Sequence, residues 1–138
     1  MRLWAQPYHG RAGTADAYDV RMELAVSTRP RLWLPVLAWA LVIFALSSVP
    51  SLNTGLGTWD LVLRKLAHGA EFALLGALLQ RWLARPWLAV AVASAYAATD
   101  ELHQAFVSGR VASPVDWAID TAGALIGVAL YAAYQRRR

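Results

Sequence analysis

Cysteine is absent from the chain, which excludes disulfides and thiolate metal sites whatever compartment holds it. Charge is scarce: 16% of the 138 residues are Asp, Glu, Lys or Arg against 58% hydrophobic, too few for the surface of an ordinary soluble domain. The net charge of +4 is modest, and the basic residues form no stripe interleaved with aromatics, so no nucleic-acid partner is expected. The extreme N-terminus lacks the apolar run of a signal peptide. Residues 1–31 are polar, glycine-containing and mixed in charge, and are expected to be a poorly ordered extension, with Met22 as an alternative translation start.

What the chain does have is apolar runs. Leu32–Val49 is 18 residues without a charge, close to the minimum needed to cross a hydrocarbon core of roughly 30 Å. Pro35 falls in the first turn of this run, where a missing N–H is tolerated, and Pro50 with the Ser/Asn/Gly-rich stretch behind it makes a loop. Leu66–Leu83 follows, with Arg64 and Lys65 before it and Arg81 and Arg85 around its end. Pro86 opens a third run that continues to about Phe106, and Trp117–Tyr134 is the fourth, followed by three arginines. The fold expected is an all-α membrane protein, a bundle of four transmembrane helices over residues 32–134 with a basic tail at 135–138. With both termini on one side, ten of the 13 Lys and Arg lie there, and Arg64, Lys65 and Arg110 lie opposite. The positive-inside rule then makes both termini cytoplasmic.

The polar residues inside these runs share one depth. At about 1.5 Å per helical residue, Glu101 and His68 each lie roughly 22 Å from the cytoplasmic edge, and Asp120 roughly 21 Å. Glu71, Asp100, His103, Gln104 and Asp116 fall within a turn or so of them, and Arg110 sits in the loop above. Asp116, Asp120, Gly123 and Gly127 are spaced four, three and four apart, hence on one helix face. Gly123 and Gly127 form a GxxxG step that admits a close neighbour, and Ala89, Ala93 and Ala97 make a second small-residue stripe leading to Glu101. A charge facing lipid at mid-membrane costs about 2.5–3.5 kcal/mol or more. These groups are therefore expected to face one another across a pocket.

Several chemistries fit that pocket. Its members could neutralise one another and only fix helix pairing. Alternatively, Glu101 or Asp116 acts as general base with His68 as acid or orienting partner, and Arg110 holds an anionic group of an amphiphile. The candidate catalytic residues are thus His68, Glu101 and Asp116, and the candidate binding residues Glu71, Asp100, His103, Gln104, Arg110 and Asp120. No cofactor is called for, although His68 and Glu71 with Glu101 and His103 offer donors for a divalent metal. Transport by a monomer is not expected, because the cytoplasmic halves of the runs carry no relay. Ser47 and Ser48 most simply bond to backbone or into the pocket. The partner expected is a membrane lipid or other amphiphile, and a homo-oligomer is compatible with the size.

The stretches FALSSVP, RKLAHGAEFALLG, DELHQAFVSGR and SPVDWAIDTAGALIG, in that order over residues 32–134, resemble the VanZ-like family of small bacterial membrane proteins. The matching positions are His68, Glu71, Asp100, Glu101, Gln104, Arg110, Asp116 and Asp120. Arg64-Lys65 stands where the family commonly has Asp-Lys, and Phe72 where it has a tyrosine. The resemblance implies a multi-pass protein of the bacterial cytoplasmic membrane with a cell-envelope role at its outer face. The family takes its name from a member linked to resistance against teicoplanin, an acylated glycopeptide antibiotic.

Overall fold

A computed structural model of the protein describes residues 30–50 and 58–138. The proposed N-terminal extension, the alternative start at Met22 and most of the loop after Pro50 lie outside the described residues. Within them the chain is four helices and no strand: α1 (Pro30–Ser47), α2 (Thr58–Leu83), α3 (Pro86–Gln104) and α4 (Pro114–Gln135).

Each apolar run became a helix, with ends that differ from the runs for local reasons. The first begins two residues earlier than the charge-free run, so Pro35 lies in the second turn of α1 rather than the first. The largest difference is at α2, which extends two turns ahead of Leu66 and carries Arg64 and Lys65 as helical residues. Charges do not end a helix when they find partners. Lys65 pairs with Asp116, and Asp60 in the first turn complements the positive end of the helix. Helix α4 starts three residues before Trp117 because Ser113 caps it, its Oγ accepting from the Asp116 N–H at 3.4 Å, with Pro114 at the first position.

Two connections are short. Ala84 turns the chain between α2 and α3 in the left-handed region (φ 54°), at a cost of about 1–2 kcal/mol for a residue with a Cβ. Gly109 supplies the positive φ (76°) of the turn before α4.

The most extensive interface joins α2 and α4. A Cβ added to Gly123 would overlap the Gly69 carbonyl, one on Gly127 the Ala73 carbonyl, and one on Gly76 the Ala124 carbonyl. Both helices therefore approach backbone to backbone, which only glycine permits here. Ala89, Ala93, Ala97 and Glu101 of α3 are all buried along one stripe. Phe72, Leu75 and Leu79 of α2 and Ile43 of α1 complete the core. Along its middle, α1 is tethered by the Trp39 indole N–H, which donates to the Glu71 carbonyl at 2.9 Å, and by the Tyr96 hydroxyl, which donates to the Ala40 carbonyl at 2.6 Å.

The outside of the bundle is apolar. Leu34, Leu41, Phe44, Leu125, Ile126 and Leu130 are each about half exposed or more. By length and composition α4 is the one described helix apolar enough to cross a membrane, and only 28% of its best window is buried in the protein. Helix α1 is apolar but shorter, α2 is diluted by charge, and α3 is rich in small alanines with Asp100, Glu101, His103 and Gln104 at its end.

Candidate functional site

The polar residues gather at one end of the bundle, where α1 and α3 finish and α2 and α4 begin. A cavity of about 170 Å³ opens there, lined by residues of α2, α3, α4 and the loop before α4. Its charged and polar walls are Arg64, Lys65, His68, Glu101, Gln104, Arg110, Asp116 and Asp120. Burial sorts them by depth. Asp120, Glu101 and Gln104 are buried, whereas Lys65 and Asp116 keep a third of their side chains exposed. The pocket thus has a mixed mouth containing three cations and a floor containing two carboxylates and an imidazole.

At the floor, Asp120 is fully buried and neither of its carboxylate oxygens has a hydrogen-bond partner among the described residues. The His68 Nδ1 lies 3.6 Å from its Oδ2, too long for a hydrogen bond. Asp100, 3% exposed, is held from its other side: Ser47 Oγ donates to its Oδ2 at 2.8 Å and Gln104 Nε2 to the same oxygen at 2.7 Å. Its Oδ1 is buried without a partner. His68, Asp100 and Asp120 each offer one ligand atom within 4.8 Å of the others.

Glu101 faces the pocket from α3. The backbone N–H of Ser113 donates to its Oε2 at 2.7 Å, while Oε1 is buried and unpartnered. That hydrogen bond ties the end of α3 to the cap of α4, so one carboxylate both closes the loop and keeps an oxygen for the cavity. Asp116 is occupied by Lys65.

Arg110 is engaged on several sides. Its Nη1 donates to Gln104 Oε1 at 3.2 Å, its Nε to the Val49 carbonyl at 3.1 Å, and its Nη2 reaches the Leu46 carbonyl at 3.5 Å. It therefore caps the negative end of α1 while still lining the pocket. Burial and then the neighbouring Arg64 pull its pKa below the ordinary value, although a guanidinium keeps its charge in proteins. A second guanidinium close enough to act on Arg110 makes this side of the pocket attractive to an anion.

Two expected members stand apart. His103 turns toward α1, stacked on Phe44 with ring centroids 4.3 Å apart and with its Nε2 3.0 Å from Ser48 Oγ. Ser48 gives its own hydrogen to the Phe44 carbonyl at 2.7 Å, so the imidazole is the donor in that contact. Glu71 does not line the cavity, and its Oε2 is buried without a partner. The four metal donors read from the sequence are therefore not brought together; of them only His68 joins the trio with Asp100 and Asp120. Conversely, the sequence reading left Arg64 and Lys65 outside the site. The signal was present in spacing, because Lys65 and His68 are three apart and share a helix face.

Residues 22–135 match the family model described as VanZ/LLP1. No curated protein and no solved structure matches the chain. The match spans most of the sequence, and the chain belongs to the VanZ-like family.

Proposed function

We propose that this VanZ-like protein spans the bacterial cytoplasmic membrane four times with both termini inside, and that its pocket engages an amphiphilic envelope molecule from the outer leaflet. The observation that carries the reading is the pocket itself. An apolar bundle encloses a cavity lined by Arg64, Lys65 and Arg110 above buried Glu101, His68 and Asp120. An anionic headgroup suits the cations, and acyl chains suit the exposed leucines beside them. Lipids, lipid-linked precursors and an acylated glycopeptide such as teicoplanin share that chemistry. The residues at the centre are Glu101, whose Oε1 has no hydrogen-bond partner, and His68. They serve either in binding or as an acid/base pair. Asp116 is the weaker candidate for a base because Lys65 already occupies it.

A second reading is favoured by a different observation. Ser47 to Asp100 and Lys65 to Asp116 link separate helices, as expected of a cluster that only sets helix pairing. Native mass spectrometry of protein extracted from phosphatidylglycerol-containing membranes separates the two. The wild type should carry an anionic amphiphile as a mass adduct, and Arg64→Gln with Lys65→Gln should lose it while melting within a few degrees of wild type. An unaltered adduct, or none in either protein together with a large fall in melting temperature, would leave the pairing reading in its place.

A further inference from the structure

The geometry points to a divalent transition-metal site at the base of the pocket, formed by His68 and Asp120, which line it, and by Asp100, which is buried and does not. The three come from three helices, α2, α3 and α4, and each presents a ligand atom within 4.8 Å of the other two. Proximity of acids alone would say little. What distinguishes this group is that its atoms are buried and idle. Asp120 is 0% exposed with both oxygens unpartnered, and His68 Nδ1 and Asp100 Oδ1 are likewise buried without a partner.

A buried carboxylate is stable when it is paired, hydrogen-bonded or bound to a metal. None of the three cations of the mouth forms an ion pair with Asp100 or Asp120: Lys65 pairs with Asp116, Arg110 bonds Gln104 and the end of α1, and Arg64 reaches neither acid. One imidazole against two carboxylates leaves the floor short of positive charge, and a divalent ion supplies it. One nitrogen and two carboxylate oxygens form a donor set that suits Zn²⁺ and its neighbours in the first transition row. Alkaline-earth ions, which take all-oxygen ligands, fit it less well.

The surroundings have the form of an outer shell. Asp100 keeps Oδ1 idle because Ser47 and Gln104 both hold its Oδ2, and Arg110 in turn holds Gln104. Such contacts orient a ligating carboxylate. His68 and Asp120 line the cavity, so an ion bound to three protein ligands keeps a coordination position facing it, the arrangement of open rather than closed zinc sites.

This inference stands beside the amphiphile reading and does not rest on it. The test uses full-length protein in detergent, freed of any affinity tag and stripped with a chelator. Co²⁺ titrated into the wild type should produce d–d absorption bands distinct from those of the aqueous ion. Zn²⁺ should then be retained through desalting at one per chain. Ser47→Ala should weaken Zn²⁺ about 10–100-fold, and His68→Ala and Asp120→Asn at least as much. An aqueous-type Co²⁺ spectrum with no retained Zn²⁺ in the wild type would overturn the site. Equal retention by the folded His68→Ala or Asp120→Asn protein would overturn it too. Arg64→Gln with Lys65→Gln separates the two ideas, since it should shed the amphiphile and keep the metal.

Discussion

At the scale of single residues, the contacts around the pocket differ in weight because they differ in burial. Ser47 is fully buried and gives its only hydrogen to Asp100, and an interhelical hydrogen bond of this kind is worth about 1–2 kcal/mol inside a membrane bundle. The Lys65–Asp116 pair keeps a third of each side chain in contact with solvent, and exposed ion pairs contribute about 0–1 kcal/mol. Ser47→Ala is therefore expected to lower stability by about 1–2 kcal/mol, and Lys65→Met by no more than about 1 kcal/mol. Thermal melts of the two variants in one detergent check the order, and a larger loss for Lys65→Met would contradict it. The same contrast explains what was legible from sequence. That His68, Asp100, Glu101 and Asp120 share a depth follows from helix rise alone. Which oxygen of Asp100 is held, and that His103 turns to Phe44, depends on side-chain packing that no spacing encodes.

At the scale of elements, the four helices follow from the four apolar runs, and the errors lie at their ends. Reading by hydrophobicity truncated α2, because Arg64 and Lys65 look like a boundary when counted as charges. They continue the helix once Asp116 is available as a partner from α4. The start of α4 was legible in Ser113-Pro114, a cap followed by a first-turn proline, had local signals been weighed above apolarity. The glycine faces are legible on both helices: Gly123 and Gly127 mark a close approach on α4, and Gly69 and Gly76 leave room for a neighbour on α2; which backbone atoms meet, the Gly69 and Ala73 carbonyls among them, emerges only in three dimensions. A pair of substitutions tests that interface. A Cβ at Gly127 has nowhere to go, whereas one at Gly69 meets only Ile119 Cγ2 at 3.6 Å, an ordinary contact. Gly127→Ala is expected to destabilise by about 1–3 kcal/mol or more through overpacking. Gly69→Ala should be neutral or stabilising by up to about 1 kcal/mol, because alanine favours the helix. Equal melting temperatures for the two would show that α2 and α4 are not packed this tightly.

At the scale of the molecule, the absence of cysteine makes the orientation directly measurable, since any introduced thiol is unique. On the four-span reading, Ser108→Cys in the turn before α4 faces outward and Gln135→Cys faces the cytoplasm. A membrane-impermeant maleimide should label the first in intact cells and the second only after lysis. Labelling in the reverse order would invert the topology and place the pocket on the inner leaflet.

The pairing of α2 with α4 also bears on how the chain is made. Helix α2 carries Asp60, Arg64, Lys65 and His68 in its first half and Glu71 just past its midpoint, and a charged residue at a helix centre opposes insertion by about 2.5–3.5 kcal/mol. Of the four helices, α4, whose Asp116 pairs with Lys65 and whose Asp120 lies beside His68, is synthesised after the others. On the four-span reading, α2 cannot settle in lipid when it leaves the translocon and has to wait beside it, or in the care of an insertase, until α4 arrives. Integration then finishes late and all at once, and a ribosome stalled before residue 114 leaves a nascent chain that surveillance proteases can recognise.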